Sequence, residues 1–378
     1  MSQPPPSTSS TPIVNSFDQI IRGEFKRTAT DFHSTIEPNG IYPPEENRYV
    51  LYVSYACPWA HRCLITLALK GLTHVIKVTA VHPVWGVVDQ DSGRQSWVFS
   101  HPDNKDCDTN ITLANLLEIP ENPDDISTEL KTYINNVNIH TTTHVGNIDV
   151  RDTNYNKQNL RQIYELNDPK YVGRYTVPVL WDSKTQSIVN NESSEIIRIL
   201  DTAFNQWAKN PSFSIRPDGV DEALIEAANT RMYNAFNNGV YRAGFAQSQE
   251  AYLKAVHDVF DYLNETEGLL STQRFLAGNT FSEADIRFLV TLLRFDIVYV
   301  VHFKTAWKRI RDYPNIFAYI CDIWQNIFND DARATYNEDH IKYHYYVSHE
   351  KLNKFALVPW TLDVDYNTPT DRSTKFSQ

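Results

Sequence analysis

The strongest constraint on the fold is a strand–helix–strand pattern around one cysteine. The β-rich run RYVLYVSYA stops just before Cys57, and an apolar helical run follows. Pro58 lies in the first turn of that run, where helices tolerate proline, and Gly71 lies where a C-cap is expected. The next β-rich run is HVIKVTAVH. Short links in this order predict a βαβ unit with a parallel strand pair.

The rest of the chain divides by composition. Polar, turn-rich sequence interrupts the α/β pattern and is interpreted as an insertion, after which two short strands and a helix follow. The pattern then becomes helical, and Ser282 and Asp285 have the spacing of a capping box. We predict an arm and lead-in (1–45), an α/β domain (46–203) with an insertion near 105–150, a linker (204–221), a helical domain (222–360) and a tail (361–378).

Charge and composition disfavour several classes of protein. The 378-residue chain has a net charge of −11, which argues against nucleic-acid binding by phosphate neutralisation. No run approaches the ~18 apolar residues of a membrane span, so no membrane partner is expected. Four cysteines in a chain of this length do not form a disulfide framework, and the Pro/Ser-rich start does not resemble a signal peptide. We therefore expect a cytoplasmic protein.

Cys57 is the candidate nucleophile. Its predicted position at a helix N-terminus places it near backbone N–H groups and the positive end of the helix dipole, which favour a thiolate. We therefore expect a lowered thiol pKa and a reactive side chain, the alternative being a buried structural cysteine. Cys63 lacks the C-x-x-C spacing of a dithiol redox centre and is interpreted as core.

Two further motifs suggest a peptide-binding site. In TVPVLWD, a cis bond between Val177 and Pro178 would leave the Val177 backbone free to pair with a peptide-like substrate, but an edge-strand proline is equally compatible with the sequence. In NNESSEII, Glu192 could bind an ammonium group, and N–H groups near Ser193 could hold a carboxylate. Ordinary helix capping by Ser193 is the alternative explanation of this motif.

The order of these motifs resembles that of the cytosolic glutathione transferases. A helical domain with FLAGNTFSEADI follows them, and ACPWAHR is similar to the cysteine-dependent, omega-like branch. NNGVYRAGFAQSQEAY, RFDIVYVVHFK and HIKYHYYVSH resemble the xi class, the S-glutathionyl-hydroquinone reductases found in fungi and bacteria. The resemblance runs from about Ala56 to Val358, apart from the insertion. It implies an α/β plus all-α fold, with a thioredoxin-like N-terminal domain and a helical C-terminal domain, in a homodimer.

The resemblance also implies a role for each matching residue. Cys57 would be the nucleophile and glutathione the co-substrate. Trp97 would lie against glutathione, and Trp85 is a weaker candidate for the same place. The residues implied to bind glutathione are Trp97, Arg174, Val177, Glu192 and Ser193. The residues implied to reach the aromatic substrate from the helical domain are Tyr241, Tyr299 and Tyr345, of which Tyr241 and Tyr345 would also be catalytic.

The implied reaction is glutathione-dependent removal of glutathione from glutathionyl-hydroquinones through a mixed disulfide on one cysteine. Two alternatives stay open. A general omega-like thioltransferase or dehydroascorbate reductase would need Cys57 but not the tyrosines, and a non-catalytic glutathione-transferase-like binding protein would need neither. The sequence departs from the xi pattern at HFKTAW, which lacks a cysteine after HFK, and at KLNKFALVPW, which replaces an Ile-Asn-Pro stretch.

Two histidine pairs have the i, i+4 spacing of metal ligands on a helix. His140 and His144 lie in a Thr-rich stretch that does not favour a helix, and His340 and His344 lack an evident third ligand. The sequence therefore predicts no metal site.

Overall fold

The structure, a computed structural model, describes residues 20–21, 23–101, 144–145, 148–359 and 364–376. Cys107, His140 and most of the predicted insertion lie outside the described residues. Within those ranges, no helix is both long and apolar enough to cross a membrane. The strands described are β1 (Ile20–Ile21), β2 (Glu24–Phe25), β3 (Tyr49–Val53), β4 (Lys77–Ala80), β5 (Gly86–Asp89), β6 (Arg94–Ser96), β7 (His144–Val145), β8 (Ile148–Asp149), β9 (Val179–Asp182) and β10 (Ser187–Asn190).

A four-stranded mixed sheet forms the centre of the N-terminal domain, in the order β10-β9-β3-β4. The predicted parallel pair is present, because β3 runs parallel to β4 with Val50 opposite Lys77. β9 runs antiparallel to β3, and β10 antiparallel to β9. All residues of β3 and β9 are buried, so neither strand alternates between apolar and polar residues. Asp182, the last residue of β9, is buried in an ion pair with Arg48.

The first helix begins and ends where the sequence predicts. Pro58 occupies its first turn, and Gly71 closes it in the left-handed conformation (φ 66°) with its N–H bonded to the Ala68 carbonyl. The helices described are α1 (Pro58–Lys70), α2 (Leu160–Asn167), α3 (Ser193–Thr202), α4 (Glu222–Met232), α5 (Gly239–Gly244), α6 (Gln249–Leu270), α7 (Glu283–Arg294), α8 (Val300–His302), α9 (Pro314–Asp322), α10 (Asp330–Arg333), α11 (Glu338–Ser348) and α12 (Arg372–Lys375).

The helical domain contains π-helical turns where the sequence predicts uninterrupted helices. The turn Tyr233–Asn237 separates α4 from α5, and the turn Phe295–Tyr299 separates α7 from α8. Such turns insert a residue into the helical repeat and change the direction of the side chains that follow. The first turn precedes Tyr241 and the second contains Tyr299, two of the tyrosines that the sequence predicts at the site. The capping box of Ser282 and Asp285 at the start of α7 is present as predicted.

Segments outside the two regular domains pack onto them. In the lead-in, Ile36 is buried, and in the linker Ile215 is fully buried. In the C-terminal segment, Tyr366 and Arg372 are buried, and the Arg372 guanidinium donates to carbonyls near the end of α6. These segments therefore belong to the folded body of the protein.

Candidate active site

Cys57 lies in a cleft formed by two adjoining cavities. One cavity, about 660 Å³ including space open to solvent, is lined by Cys57 and by aromatic side chains from both domains. The other, about 720 Å³ on the same measure, is lined by Glu192 and Ser193. Because several residues line both cavities, the two are continuous. The shared residues are Arg27, Trp59, Arg174, Thr176 and Val177.

Cys57 is the N-cap of α1 and is 9% exposed. Burial raises the pKa of its thiol, whereas the Ala60 N–H and the positive charges of Arg294 and Arg27 act in the opposite direction without overcoming burial. The lowered pKa expected from the sequence is therefore wrong in direction. The helix N-terminus does favour the thiolate, but tertiary packing has also removed the side chain from water.

Cys63 is fully buried within α1, and burial raises its pKa well above the ordinary value. This agrees with its interpretation as core. Cys57, Cys63 and Cys321 are all free thiols.

The Val177–Pro178 peptide bond is cis, which decides between the two alternatives left by the sequence. The Val177 carbonyl lies 3.6 Å from Cys57 Sγ. Among the described residues, the Val177 N–H has no hydrogen-bond acceptor. Val177 thus offers a backbone donor beside the thiol, as a site that pairs with an extended peptide requires.

Glu192, rather than Ser193, is the N-cap of α3. Its carboxylate accepts hydrogen bonds from the Ser194 N–H (3.1 Å) and the Thr30 hydroxyl (3.3 Å). Burial raises the pKa of Glu192, but Ser194, Arg62 and Thr30 together hold it below its ordinary value. Among the described residues, the Ser193 N–H has no acceptor. A carboxylate and a free helix N-terminal N–H therefore lie side by side in the cleft.

Trp97, Trp85 and Arg174, for which the resemblance implies a place beside glutathione, all line the cleft. Trp97 is buried, and its ring stacks on His344 with centroids 4.5 Å apart. Trp85 packs edge-on against Trp97, with centroids 5.7 Å apart. The Arg174 guanidinium donates to the Thr28 carbonyl (2.7 Å) and lines both cavities.

The three predicted tyrosines form one hydrogen-bonded cluster. The hydroxyls of Tyr241 and Tyr345 are 2.5 Å apart, and those of Tyr299 and Tyr345 are 3.2 Å apart. Burial raises the pKa of all three phenols, so each keeps its proton. Tyr241 and Tyr345 line the cleft with Cys57. Tyr299 is fully buried behind Tyr345 and is not among the residues that line this cavity, so in the structure its hydroxyl contacts Tyr345 rather than the open space of the cleft.

Arg27 is a cleft residue that the sequence reasoning missed. Its guanidinium lies over the rings of Trp59 (4.7 Å) and Tyr241 (4.9 Å), and its Nε donates to the Asn238 side chain (3.1 Å). It comes from the lead-in, which has no regular pattern, so no sequence signal linked it to the cleft.

Two histidines in the cleft were also missed as site residues. His344 Nδ1 contacts the Pro83 carbonyl (2.9 Å), so that nitrogen bears the proton and Nε2 is an acceptor. Burial lowers the pKa of His344 to about 3, which keeps the ring neutral. His349 also lines the cleft, and its Nδ1 lies 3.0 Å from Nε2 of His302.

Of the two histidine pairs, the structure describes the side chains of His340 and His344 only. His344 is bonded to Pro83, as described above, and His340 is fully buried. Over the part of the chain that the structure describes, no group of three or more His, Cys, Asp and Glu side chains could hold a metal ion.

Comparisons with known proteins show the family of this chain. The family model described as glutathione S-transferase, N-terminal domain matches residues 56–203, and the one described as glutathione S-transferase, C-terminal domain matches residues 246–320. The chain is 37% identical over 365 residues to the glutathionyl-hydroquinone reductase YqjG of Escherichia coli K12, covering 94% of both chains. It is 35% identical over 341 residues to the glutathionyl-hydroquinone reductase PcpF of Sphingobium chlorophenolicum, covering 89% of both.

Solved structures lead to the same family. The xi glutathione transferase ECM4 from Saccharomyces cerevisiae, in complex with glutathione, matches with a TM-score of 0.74 and 36% identity, covering 89% of this chain and 97% of that one. The glutathione transferase Xi from Phanerochaete chrysosporium matches with a TM-score of 0.73 and 38% identity, covering 92% of this chain and 96% of that one. The chain therefore belongs to the glutathione S-transferase family and, within that family, to the xi class.

Proposed function

We propose that this protein catalyses the glutathione-dependent removal of glutathione from glutathionyl-hydroquinones. The observation that carries the proposal is that one cleft holds both the Cys57 thiol and the paired hydroxyls of Tyr241 and Tyr345. A thiol alone suffices for exchange with a disulfide, whereas an aromatic thioether also needs proton donors near the ring. The names of the relatives from Escherichia coli and Sphingobium chlorophenolicum support the same class of substrate.

In this proposal glutathione occupies the cavity that continues from Cys57 toward α3. The Glu192 carboxylate would receive the γ-glutamyl ammonium group, and the Ser193 N–H the neighbouring carboxylate. The Val177 N–H would pair with the cysteinyl carbonyl, which brings the sulfur to Cys57. Arg174 supplies positive charge for the glycyl carboxylate, and Trp97 supplies an apolar wall.

The first half-reaction transfers glutathione to the enzyme. The Cys57 thiolate attacks the sulfur of the aromatic thioether, a Cys57–glutathione disulfide forms, and the carbon–sulfur bond breaks. In the keto-like form of the ring, the carbon that bears sulfur already holds a hydrogen. The electron pair of the broken bond is delocalised to the ring oxygen, which takes up a proton, so the aromatic product is the reduced hydroquinone. In the second half-reaction the thiolate of another glutathione attacks the mixed disulfide, which releases glutathione disulfide and the Cys57 thiolate.

The tyrosine cluster gives the first half-reaction its selectivity. The carbon leaving group is poor unless the ring is in an electron-poor, keto-like form, in which negative charge develops on oxygen as the bond breaks. Tyr241 and Tyr345 present phenolic O–H groups that stay protonated and can donate to that oxygen. Tyr299 holds the Tyr345 hydroxyl in place.

An assay with two substrates tests this proposal. Wild-type protein and Cys57→Ala are incubated with glutathionyl-menadiol or with a glutathionylated peptide, each in excess glutathione. We expect menadiol and glutathione disulfide from the wild type and no turnover from Cys57→Ala. Activity on the peptide alone would indicate a general thioltransferase, and activity on neither would indicate a binding protein. Turnover by Cys57→Ala would contradict the nucleophile.

We further propose that the protein works as a homodimer in the cytoplasm and needs no metal. The free thiols of Cys57, Cys63 and Cys321 suit a compartment in which glutathione is kept reduced. Light scattering of the purified protein tests the homodimer, and fluorescence microscopy of a tagged chain tests the location. Activity that persists in excess chelator would support the statement that no metal is needed.

A further inference from the structure

Arg294 is a fully buried arginine at the C-terminal end of α7, directly beneath the backbone that leads to Cys57. Its Nε donates to the Ala56 carbonyl (2.8 Å), and its Nη2 donates to the Tyr55 carbonyl (3.0 Å). Arg294 belongs to the helical domain, whereas these two carbonyls belong to the N-terminal domain. A side chain of one domain is therefore fixed against the segment of the other that carries the thiol.

The hydrogen bonds around His61 show that its ring is a neutral acceptor for Arg294 and carries no charge of its own. The Thr335 hydroxyl donates to the Ala332 carbonyl (2.6 Å), so it accepts from His61 Nε2 (2.9 Å). His61 Nδ1 is then the acceptor for Nη1 of Arg294 (3.1 Å). Burial lowers the pKa of His61 well below its ordinary value, and the charge of Arg294 adds a smaller effect in the same direction. The ring is therefore neutral.

The Arg294 guanidinium also donates to the Val290 carbonyl (2.7 Å). The acceptors described for Arg294 are therefore three backbone carbonyls and a neutral imidazole nitrogen, and all of them are uncharged. Other arginines in the described ranges meet buried carboxylates: Arg48 pairs with Asp182 and Arg274 pairs with Asp322. No such ion pair is recorded for Arg294 within the described residues. An arginine keeps its charge in a protein, and a buried charge is costly unless an opposite charge compensates it.

We propose that Arg294 is a positioning residue that supplies the counter-charge for the Cys57 thiolate. The inference rests on the proposed role of Cys57 as nucleophile. The charged and titratable groups that line the cleft with Cys57 are Arg27, Arg174, Tyr241, Tyr345, His344 and His349. Cys63 on α1 and Arg294 on α7 lie behind the thiol, in the buried interior. Of these three arginines, Arg294 is the fully buried one, and it is held by backbone carbonyls.

The proposed counter-charge acts twice in each catalytic cycle. It stabilises the thiolate that attacks the substrate, and it stabilises the same thiolate when the second glutathione displaces it from the mixed disulfide. A more stable thiolate is the better leaving group in that exchange. Because the π-helical turn with Tyr299 follows Arg294 directly, one segment of the helical domain delivers both the cation and the support for Tyr345.

The pH dependence of Cys57 alkylation by iodoacetamide tests this inference. Mass spectrometry of the peptide that contains Cys57 separates its rate from those of the other thiols. We expect Arg294→Met to raise the thiol pKa by about one unit or more, so that alkylation at neutral pH slows about tenfold or more. Arg294→Lys should retain most of the wild-type rate. Arg274→Met, which removes an arginine paired with a carboxylate, is the matched control and should leave the profile unchanged.

An unchanged profile in folded Arg294→Met would overturn the inference. If that variant does not fold, Arg294→Gln decides, because it removes the charge and retains amide donors for the backbone carbonyls. An increase of about one unit or more in the thiol pKa supports the counter-charge, and an unchanged thiol pKa contradicts it. Iodoacetamide reports on the free thiol, so failure of the proposed hydroquinone substrate leaves this result unaffected.

Discussion

At the scale of single residues, the reactivity of Cys57 depends on a balance between burial and positive charge. Burial raises the thiol pKa, and the N–H groups of Ala60 and Trp59, with Arg294 and Arg27, oppose that rise. The sequence reveals the local part of this balance, because the helix N-terminus is encoded by the neighbouring residues. It does not reveal Arg294 and Arg27, because they are distant from Cys57 in the sequence and come near the thiol only in the folded protein.

Glutathione affinity should depend on the Glu192 carboxylate. We expect Glu192→Gln to weaken glutathione binding by about 1.5–3 kcal/mol, because the variant loses a charged partner for the ammonium group. Isothermal titration calorimetry measures the change. The control is Glu195→Gln, three residues on, where an exposed carboxylate pairs with His33 and no loss is expected.

The pH dependence of that binding follows from the lowered pKa of Glu192. A carboxyl group with a lowered pKa stays ionised to a lower pH than an ordinary one. We therefore expect a constant affinity down to pH values of about 5 and weakening only at or below the ordinary glutamate value of about 4.3. Weakening that begins near neutral pH would contradict the assignment of Glu192 to the ammonium group.

The phenolic hydroxyls should matter for aromatic substrates and not for peptides. We expect Tyr241→Phe and Tyr345→Phe each to lower kcat on glutathionyl-menadiol by about a hundredfold to a thousandfold, the usual range for losing a proton or oxyanion donor. Activity on a glutathionylated peptide should be unchanged. Tyr346→Phe is the matched control, since its buried hydroxyl donates to the Ile297 carbonyl. Equal losses on both substrates would contradict a role at the ring.

At the scale of secondary-structure elements, local signals determined which predictions succeeded. The limits of α1 were predictable from Pro58 and Gly71, and the start of α7 from its capping box. The π-helical turns were not predictable, because their apolar spacing resembles that of a helix and the extra residue is tolerated through tertiary packing. The direction in which Tyr299 points could therefore not be read from its position in the chain.

The capping box of α7 should be a major source of stability. The buried Asp285 carboxylate accepts from the N–H groups of Leu276 and Ser282 and from the Tyr319 hydroxyl. We expect Asp285→Ala to lower the free energy of unfolding by about 2–4 kcal/mol, because these buried donors lose their acceptor. Asp221→Ala, at the exposed cap of α4, should cost about 1 kcal/mol. Denaturant titration measures both.

The pKa of Asp285 adds a pH signature to this prediction. Burial raises that pKa to about 6. As the pH falls from about 6 to about 4, the folded wild type takes up a proton that the unfolded chain does not, so the stability difference between wild type and Asp285→Ala should widen. A difference that narrows over this range would contradict the assignment.

At the scale of the whole molecule, the cleft exists because the two domains are docked. The N-terminal domain contributes Cys57, Val177 and Glu192, and the helical domain contributes Tyr241 and Tyr345. The resemblance to xi-class enzymes allowed both sets to be predicted. The lead-in, with Arg27, had no such signal, because its side chains reach the cleft only when the segment folds over Trp59.

The most direct test of the proposed mechanism is a single turnover without free glutathione. Wild-type protein is mixed with an equimolar amount of glutathionyl-menadiol, and intact mass and released menadiol are measured together. We expect one glutathione per chain, attached at Cys57, and an equal amount of menadiol, with neither in Cys57→Ala. Menadiol release without a glutathione adduct on Cys57, or release by Cys57→Ala, would contradict the mechanism.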